Sequence, residues 1–216
     1  MLVKNFKHEN DKDSIIIYIN NIYNNIEQTE LLSYLNNMDD FEEGHNQFGK
    51  VPRLQKWYQI DGCYFSKTWK CQDHKRWISK EYDNTLLKIQ NNIQKIVNMQ
   101  TNIKFNSCLI NKYRDGNDSI NHHRDTHTSF GNYPIIAGLS LGDERILEFK
   151  RILYNEQNNR SMKEDKINSN DNFSINLESG SLLIMMGSTQ KYFSHGIPVN
   201  KNSNLRYSLT FRNYIK

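Results

Sequence analysis

The residues with the most chemistry to offer are His123-Arg124-Asp125, answered seventy positions beyond Asp125 by His195. A His-x-Asp pair and one distant His supply two neutral imidazoles and a carboxylate. That is the ligand set of a 2-His-1-carboxylate facial triad, which leaves positions open on a non-haem Fe(II). On an extended segment, side chains two apart point to the same side, as neighbouring ligands of one ion must. His195 lies in KYFSHGIPV, where Gly196 and Pro198 predict a fixed turn directly after an apolar run. The other histidines, His8, His45, His74, His122 and His127, have no carboxylate two residues on. His-x-Asp alone is a weak motif, and a buried histidine bonded near a turn is the plain alternative for His195. Catalytic zinc would use the same ligands but give no role to the basic residues downstream.

Those basic residues lie on LRYSLTFR, Leu205 to Arg212. Strand alternation puts Arg206, Ser208, Thr210 and Arg212 on one face and Leu205, Tyr207, Leu209 and Phe211 on the other. Two arginines on one face of an otherwise apolar strand are costly unless anions pair with them. Upstream, Asn111 and Tyr113 share a face in the same way. A dicarboxylate lying across the two strands would accept forked bonds from the guanidiniums. A sheet whose second face is simply solvated is the alternative.

The elements that must position these groups are legible in outline. Ser14 to Ile19 (SIIIYI) is β-branched and predicts a strand. Residues 21–37 carry Ile22, Ile26, Leu31, Leu32 and Leu35 at near-helical spacing. Gly44 to Pro52 reads as a loop, and Trp57 to Phe65 as a strand or hairpin turning at Asp61-Gly62. Asp83 to Met99 is the strongest helix, its stripe being Leu86, Ile89, Ile93, Ile96 and Val97, with Asp83 or Asn84 as N-cap. Six strands then follow: Phe105–Tyr113, Ile135–Leu141, Arg145–Ile152, Phe173–Leu177, Ser181–Met186 and Leu205–Phe211. Strands at such intervals predict an all-β C-terminal core, sandwich or barrel, wrapped by N-terminal helices. Tyr154 to Asn172 reads as a polar surface loop between two of them.

Composition bounds the rest. A chain of 216 residues is long enough for one domain with a sizeable core. Its mean hydropathy is −0.80, yet aromatics reach 12%, which fits a folded domain with polar loops better than disorder. A net charge of +4 permits an anionic partner without demanding one. Cys63, Cys71 and Cys108 are odd in number and lack CxxC spacing, so neither a zinc cage nor a disulfide framework is expected. With no signal-type segment and no run of 18 apolar residues, the expectation is a monomer away from membranes, in the nucleus or cytoplasm.

With these residues in hand, the stretch from Phe105 to Tyr214 resembles the AlkB-like branch of the Fe(II)/2-oxoglutarate dioxygenases. LINKYRDGNDSINHHRDTH matches that branch's Asn-x-Tyr-x-x-Gly followed by His-x-Asp, and NLRYSLTFR its pair of arginines six apart. SGSLLIMMGSTQKYFSHGIPV is similar to the segment bearing the second His. The resemblance implies an α+β fold: a double-stranded β-helix (jelly-roll) core with N-terminal helices and a substrate-recognition lid. It divides the single domain, 1–216, into an N-terminal extension and nucleotide-recognition lid (1–82) and a helix with the β-helix core (83–216).

The resemblance further implies that His123, Asp125 and His195 bind Fe(II). Arg206 and Tyr113 would hold the distal carboxylate of 2-oxoglutarate, and Arg212 and Asn111 the end nearer the iron, with Thr210 lining the same pocket. The implied activity uses O2 and 2-oxoglutarate to remove N-alkyl groups from bases of alkylated DNA or RNA, yielding succinate and formaldehyde. HNQFGKVPRLQKWYQ is similar to a segment of the duplex-repair members, which makes Phe48 a base-stack wedge and Arg53 a substrate contact. Tyr64 and Phe65 would sandwich the flipped base. Where repair members commonly carry acidic residues after the His-x-Asp, this chain has Thr126 and His127, which leaves the preferred lesion open. A hydroxylase of a protein or small molecule, and a catalytically silent nucleic-acid-binding module, remain the alternative readings.

Overall fold

Unbroken apolar and period-two runs dominate the C-terminal two thirds of the chain, and there they become strands. The computed structural model describes residues 1–46, 49–60, 78–99, 101–154 and 163–215. The N-terminal part contributes β1 (Leu2–Phe6), β2 (Ser14–Ile19), α1 (Asn25–Asn36), β3 (Glu42–Asn46) and β4 (Gly49–Gln59). Helix α2 (Asn84–Asn98) leads into β5 (Ser107–Tyr113), β6 (Ile120–His123), the short α3 (His127–Phe130), β7 (Ile136–Gly142) and β8 (Arg145–Arg151). Then come β9 (Phe173–Leu177), β10 (Leu182–Gly187), the short α4 (Thr189–Tyr192), β11 (Phe193–Ile197) and β12 (Arg206–Arg212).

The strands make an eight-stranded sheet in the order β1-β2-β10-β7-β12-β5-β4-β3 and a four-stranded sheet in the order β6-β11-β8-β9. Every ladder is antiparallel. From β5 to β12 the chain passes repeatedly between the two sheets, the winding of a double-stranded β-helix. The large sheet is covered on both sides. One face packs on α1 and α2 through Leu139, Ile184, Leu209 and Phe211 against Leu86, Ile89, Ile93 and Val97. The other packs on the small sheet through Ile136, Leu183 and Met185 against Leu147, Phe149 and Phe193. Each fully buried aliphatic side chain in such a stripe contributes about 1.5–3 kcal/mol of transfer free energy.

Helix α2 starts where Asp83 accepts a hydrogen bond from the Leu86 N–H. Helix α1 starts at Asn24, whose side chain and Glu27 form a reciprocal capping box. It is shorter than the spacing of residues 21–37 predicts, and Ile26 is exposed rather than part of a stripe.

Two further expectations are corrected. The described residues of the segment read as a loop, Gly44 to Pro52, belong to strands β3 and β4, whose register shifts between Glu43 and His45. Pro52 falls opposite that irregularity, where no ladder N–H is required, so the proline does not end the strand. Strand β4 begins earlier than Trp57 and runs to Gln59, and the expected turn at Asp61-Gly62, with Tyr64 and Phe65 beyond it, lies outside the described residues. Second, eight strands rather than six follow α2 among the described residues. The two additions are β6 and β11, and Gly196, where a turn is expected, lies within β11 instead.

Candidate metal and dicarboxylate site

The two unforeseen strands carry both histidines of the expected metal-binding trio. β6 pairs with β11 so that His123 and His195 are direct register partners, their ring centres 4.4 Å apart. Gly196 is what lets the strands close: a Cβ there would lie 2.9 Å from the His122 N and the Ile120 O. Asp125 follows β6 by two residues and is held from two sides. Its N–H donates to Gln190 Oε1 at 2.8 Å, and its Oδ2 accepts from Arg212 Nε at 2.5 Å. Its Oδ1 lies 4.0 Å from His123 Nε2. One ligand atom from each of His123, Asp125 and His195 falls within 4.8 Å of the others, close enough for one cation to reach all three.

Protonation favours the same use. Burial lowers the His123 pKa, against the pull of Asp125. Burial, reinforced by His123, drives His195 well below the usual imidazole value. Burial alone would raise Asp125, but the Arg212 guanidinium outweighs it and the carboxyl is held below its ordinary value. The trio is therefore two neutral imidazoles and an ionised carboxylate, the donor set a divalent cation requires. His195 Nδ1 is also buried with no hydrogen-bond partner among the described residues.

Next to this trio a cavity of about 550 Å³ opens between the sheets. Arg206, Ser208, Thr210 and Arg212 all line it, while Tyr207, Leu209 and Phe211 are buried on the helix side, as the alternation predicts. The β5–β12 register sets Arg206 opposite Tyr113 and Ser208 opposite Asn111, and both of those β5 residues line the cavity too. Arg206 is fully buried. Its Nη2 donates to Ser140 Oγ at 2.9 Å, but Nε and Nη1 have no partner among the described residues. A buried guanidinium with unpaired donors beside a cavity calls for an anion there, and a carboxylate would accept charge-assisted bonds from it.

Of the other residues singled out from the sequence, Arg53 and Thr126 line the cavity. Arg53 donates to Asn111 Oδ1 at 2.9 Å and to the Ser119 carbonyl at 3.1 Å. His127 is exposed at the start of α3 and is not part of the cavity wall. Phe48, Tyr64 and Phe65 lie outside the described residues.

Sequence reasoning missed Gln55, Ser140 and Gln190. Gln55 donates to the same Asn111 oxygen at 2.9 Å, leaving the Asn111 amide nitrogen to face the cavity. Register with Asn111 across the β4–β5 ladder would have found it. Nothing local marks Ser140 or Gln190, which act through neighbours distant in the chain.

Comparison with known proteins agrees with this geometry. The profile of the 2OG-Fe(II) oxygenase superfamily matches residues 16–212. The alpha-ketoglutarate-dependent dioxygenase alkB homolog 3 of Bos taurus is 34% identical over 163 residues, 74% of this chain and 51% of that protein. The DNA oxidative demethylase ALKBH2 of Bos taurus is 30% identical over 169 residues, 76% of this chain and 55% of that protein. The chain thus spans about half the length of these relatives. Among solved structures, "The structure of OsALKBH1" superposes with a TM-score of 0.57 at 14% identity, covering 92% of this chain and 97% of that one. A prolyl hydroxylase from Trichoplax adhaerens gives 0.56 at 14% identity, covering 93% and 83%, so the fold is shared beyond recognisable sequence.

Proposed function

The chain belongs to the 2OG-Fe(II) oxygenase superfamily, and from that premise we propose that it removes N-alkyl groups, methyl above all, from nucleobases in DNA or RNA. One observation carries the reading. A single cavity holds the neutral-imidazole and carboxylate trio at one end and a buried arginine with two free donors at the other. The similarity to alkB homolog 3 and to a DNA oxidative demethylase supports the substrate class.

In this reading His123, Asp125 and His195 hold Fe(II), while Arg206 and Tyr113 bind the remote carboxylate of 2-oxoglutarate. Arg212, Asn111 and Thr210 line the end nearer the metal. When bound, Fe(II) with 2-oxoglutarate and O2 supplies the oxidising power that converts an N-methyl C–H to C–OH, after which formaldehyde leaves. The protein's own work is placement and protonation. Arg212 keeps Asp125 ionised and aimed, and Gln190 fixes the backbone of the same residue. The donors of Arg53 and Gln55 lock the Asn111 amide so that its N–H group faces the cavity. Arg53 and Thr126 on the wall, with Phe48, Tyr64 and Phe65, contact the target base. A single domain acting as a monomer in the nucleus or cytoplasm belongs to the same proposal. Among the described residues no helix is long and apolar enough to cross a membrane.

The test is a panel of N-methylated oligonucleotides, single and double stranded, read by mass for loss of methyl and by assay for succinate. Loss of about 14 mass units from at least one member, abolished in a folded His123→Ala variant, is the expected result. Succinate formation that no oligonucleotide stimulates would overturn the nucleobase assignment while leaving the dioxygenase chemistry intact.

A further inference from the structure

Beside the cavity is a cluster of charge that the proposed reading leaves unexplained. Arg145, the first residue of β8, is 1% exposed. Its Nη2 donates to the carbonyls of Asp118 at 2.9 Å and Pro198 at 2.5 Å, but Nε and Nη1 are buried with no hydrogen-bond partner among the described residues. Its guanidinium carbon lies 5.6 Å from the centre of the Tyr113 ring, and that of Arg206 lies 5.1 Å from the same ring. The Tyr113 phenol is an electrostatic neighbour of Arg53, Arg145 and Arg206 alike.

Asp118, Asp143 and Asp115 act on Arg145 only through space, and the foremost of them is already taken. Asp118 accepts from Arg114 Nε at 2.8 Å, from Arg114 Nη2 at 2.7 Å and from the Arg114 backbone N–H. Removing a guanidinium from water without a counter-charge costs several kcal/mol. Stacking on an aromatic face offsets only about 0.5–2 kcal/mol of that. Two such cations flanking one ring also repel each other, and Arg145 is felt at Arg206 in that sense. An anion entering the cavity at Tyr113 relieves both costs together.

We propose that Arg145 is a positioning residue for the remote carboxylate of the co-substrate. It braces Tyr113 and adds a second buried positive charge at that end, so the chain selects a dianionic 2-oxo diacid over monoanionic 2-oxo acids. Arg145 does not line the cavity, so it acts through Tyr113 and through space. The inference rests on the reading that 2-oxoglutarate occupies this cavity.

The experiment measures binding of 2-oxoglutarate and of 2-oxopentanoate, which lacks the remote carboxylate, to Mn(II)-loaded protein by calorimetry. Arg145→Met should weaken 2-oxoglutarate by about tenfold or more, the scale of one charge several ångströms away in a protein interior. Affinity for 2-oxopentanoate should stay within about twofold, and Arg145→Lys should restore part of the loss. Equal weakening of both acids would mean a merely structural role, and unchanged 2-oxoglutarate affinity would mean no role; either overturns the proposal. Should the methionine variant not fold, Arg145→Gln keeps a donor for the Asp118 and Pro198 carbonyls and carries the same test. Arg206→Met separates the two readings. If it too leaves the preference for the diacid intact, the site assignment itself fails, whereas loss in Arg206→Met alone sinks only Arg145.

Discussion

Asp125 is the residue on which the site turns, because it alone contributes charge to the trio and is held by two residues far along the chain. Arg212 and Gln190 fix its carboxylate and its backbone, and Gln190 is itself only 6% exposed, with its Nε2 3.5 Å from Met185 Sδ. Replacing Gln190 with Ala leaves the half-buried Asp125 N–H without its partner, at a cost of about 1 kcal/mol. Outer groups that orient metal ligands are commonly worth about 10–100-fold in affinity. Gln190→Ala is therefore expected to bind Fe(II) or Co(II) about tenfold or more weakly in a titration while its far-ultraviolet dichroism is kept. Metal affinity equal to that of the parent would show that Arg212 suffices.

At the scale of elements, the ligand geometry is the geometry of two short strands brought unusually close. Gly196→Ala would push a methyl group to 2.9 Å from backbone atoms of β6, and backbone cannot step aside as a flexible side chain can. The expected cost is about 1–3 kcal/mol, read as a lower melting temperature, with metal affinity falling in the same variant. An unchanged melting temperature would mean that β6 and β11 have slack. This closeness also explains what was legible beforehand. Long apolar strands such as β7, β10 and β12 announce themselves by composition, and the alternation in β12 correctly put four polar side chains on the cavity face. β6 (INHH) and β11 (FSHGI) are short and loaded with His, Ser and Gly, so local propensity argues against them. Only pairing across the chain makes them strands. His123, Asp125 and His195 stand out in the sequence because their types and spacing are specific, whereas Gln55, Ser140, Gln190 and Arg145 are tied to the cavity through partners that no local pattern reveals.

Over the whole molecule, stability at low pH should follow a few carboxylates tied to distant cations. Burial works to raise Asp118, but its bonds to Arg114 prevail, and Asp11 is likewise held low by Lys191 and Tyr133. A folded pKa below the unfolded value of about 3.9 favours folding at every pH above that value. The contribution then drains away as pH falls through the depressed folded value. His123 and His195, held below the unfolded imidazole value of about 6.5, take up protons more readily once unfolded, so melting temperature is expected to decline from about pH 6.5 downward and more steeply below about pH 4. Asp118→Asn should flatten part of that acid limb, though only modestly, since the Arg114 side chain is 39% exposed. An acid limb identical to the parent's would assign it to other groups.

The pairing of β2 with β10 has a consequence in time. The strand SIIIYI pairs at once with β1, yet its second partner is synthesised only about 160 residues later. Until then β1 covers only one edge of this β-branched, uncharged ribbon, and the other edge stays open, the kind of edge that other nascent chains can capture. Slow growth at low temperature, or a chaperone that shields early hydrophobic stretches, should therefore decide how much of this protein is recovered in native form.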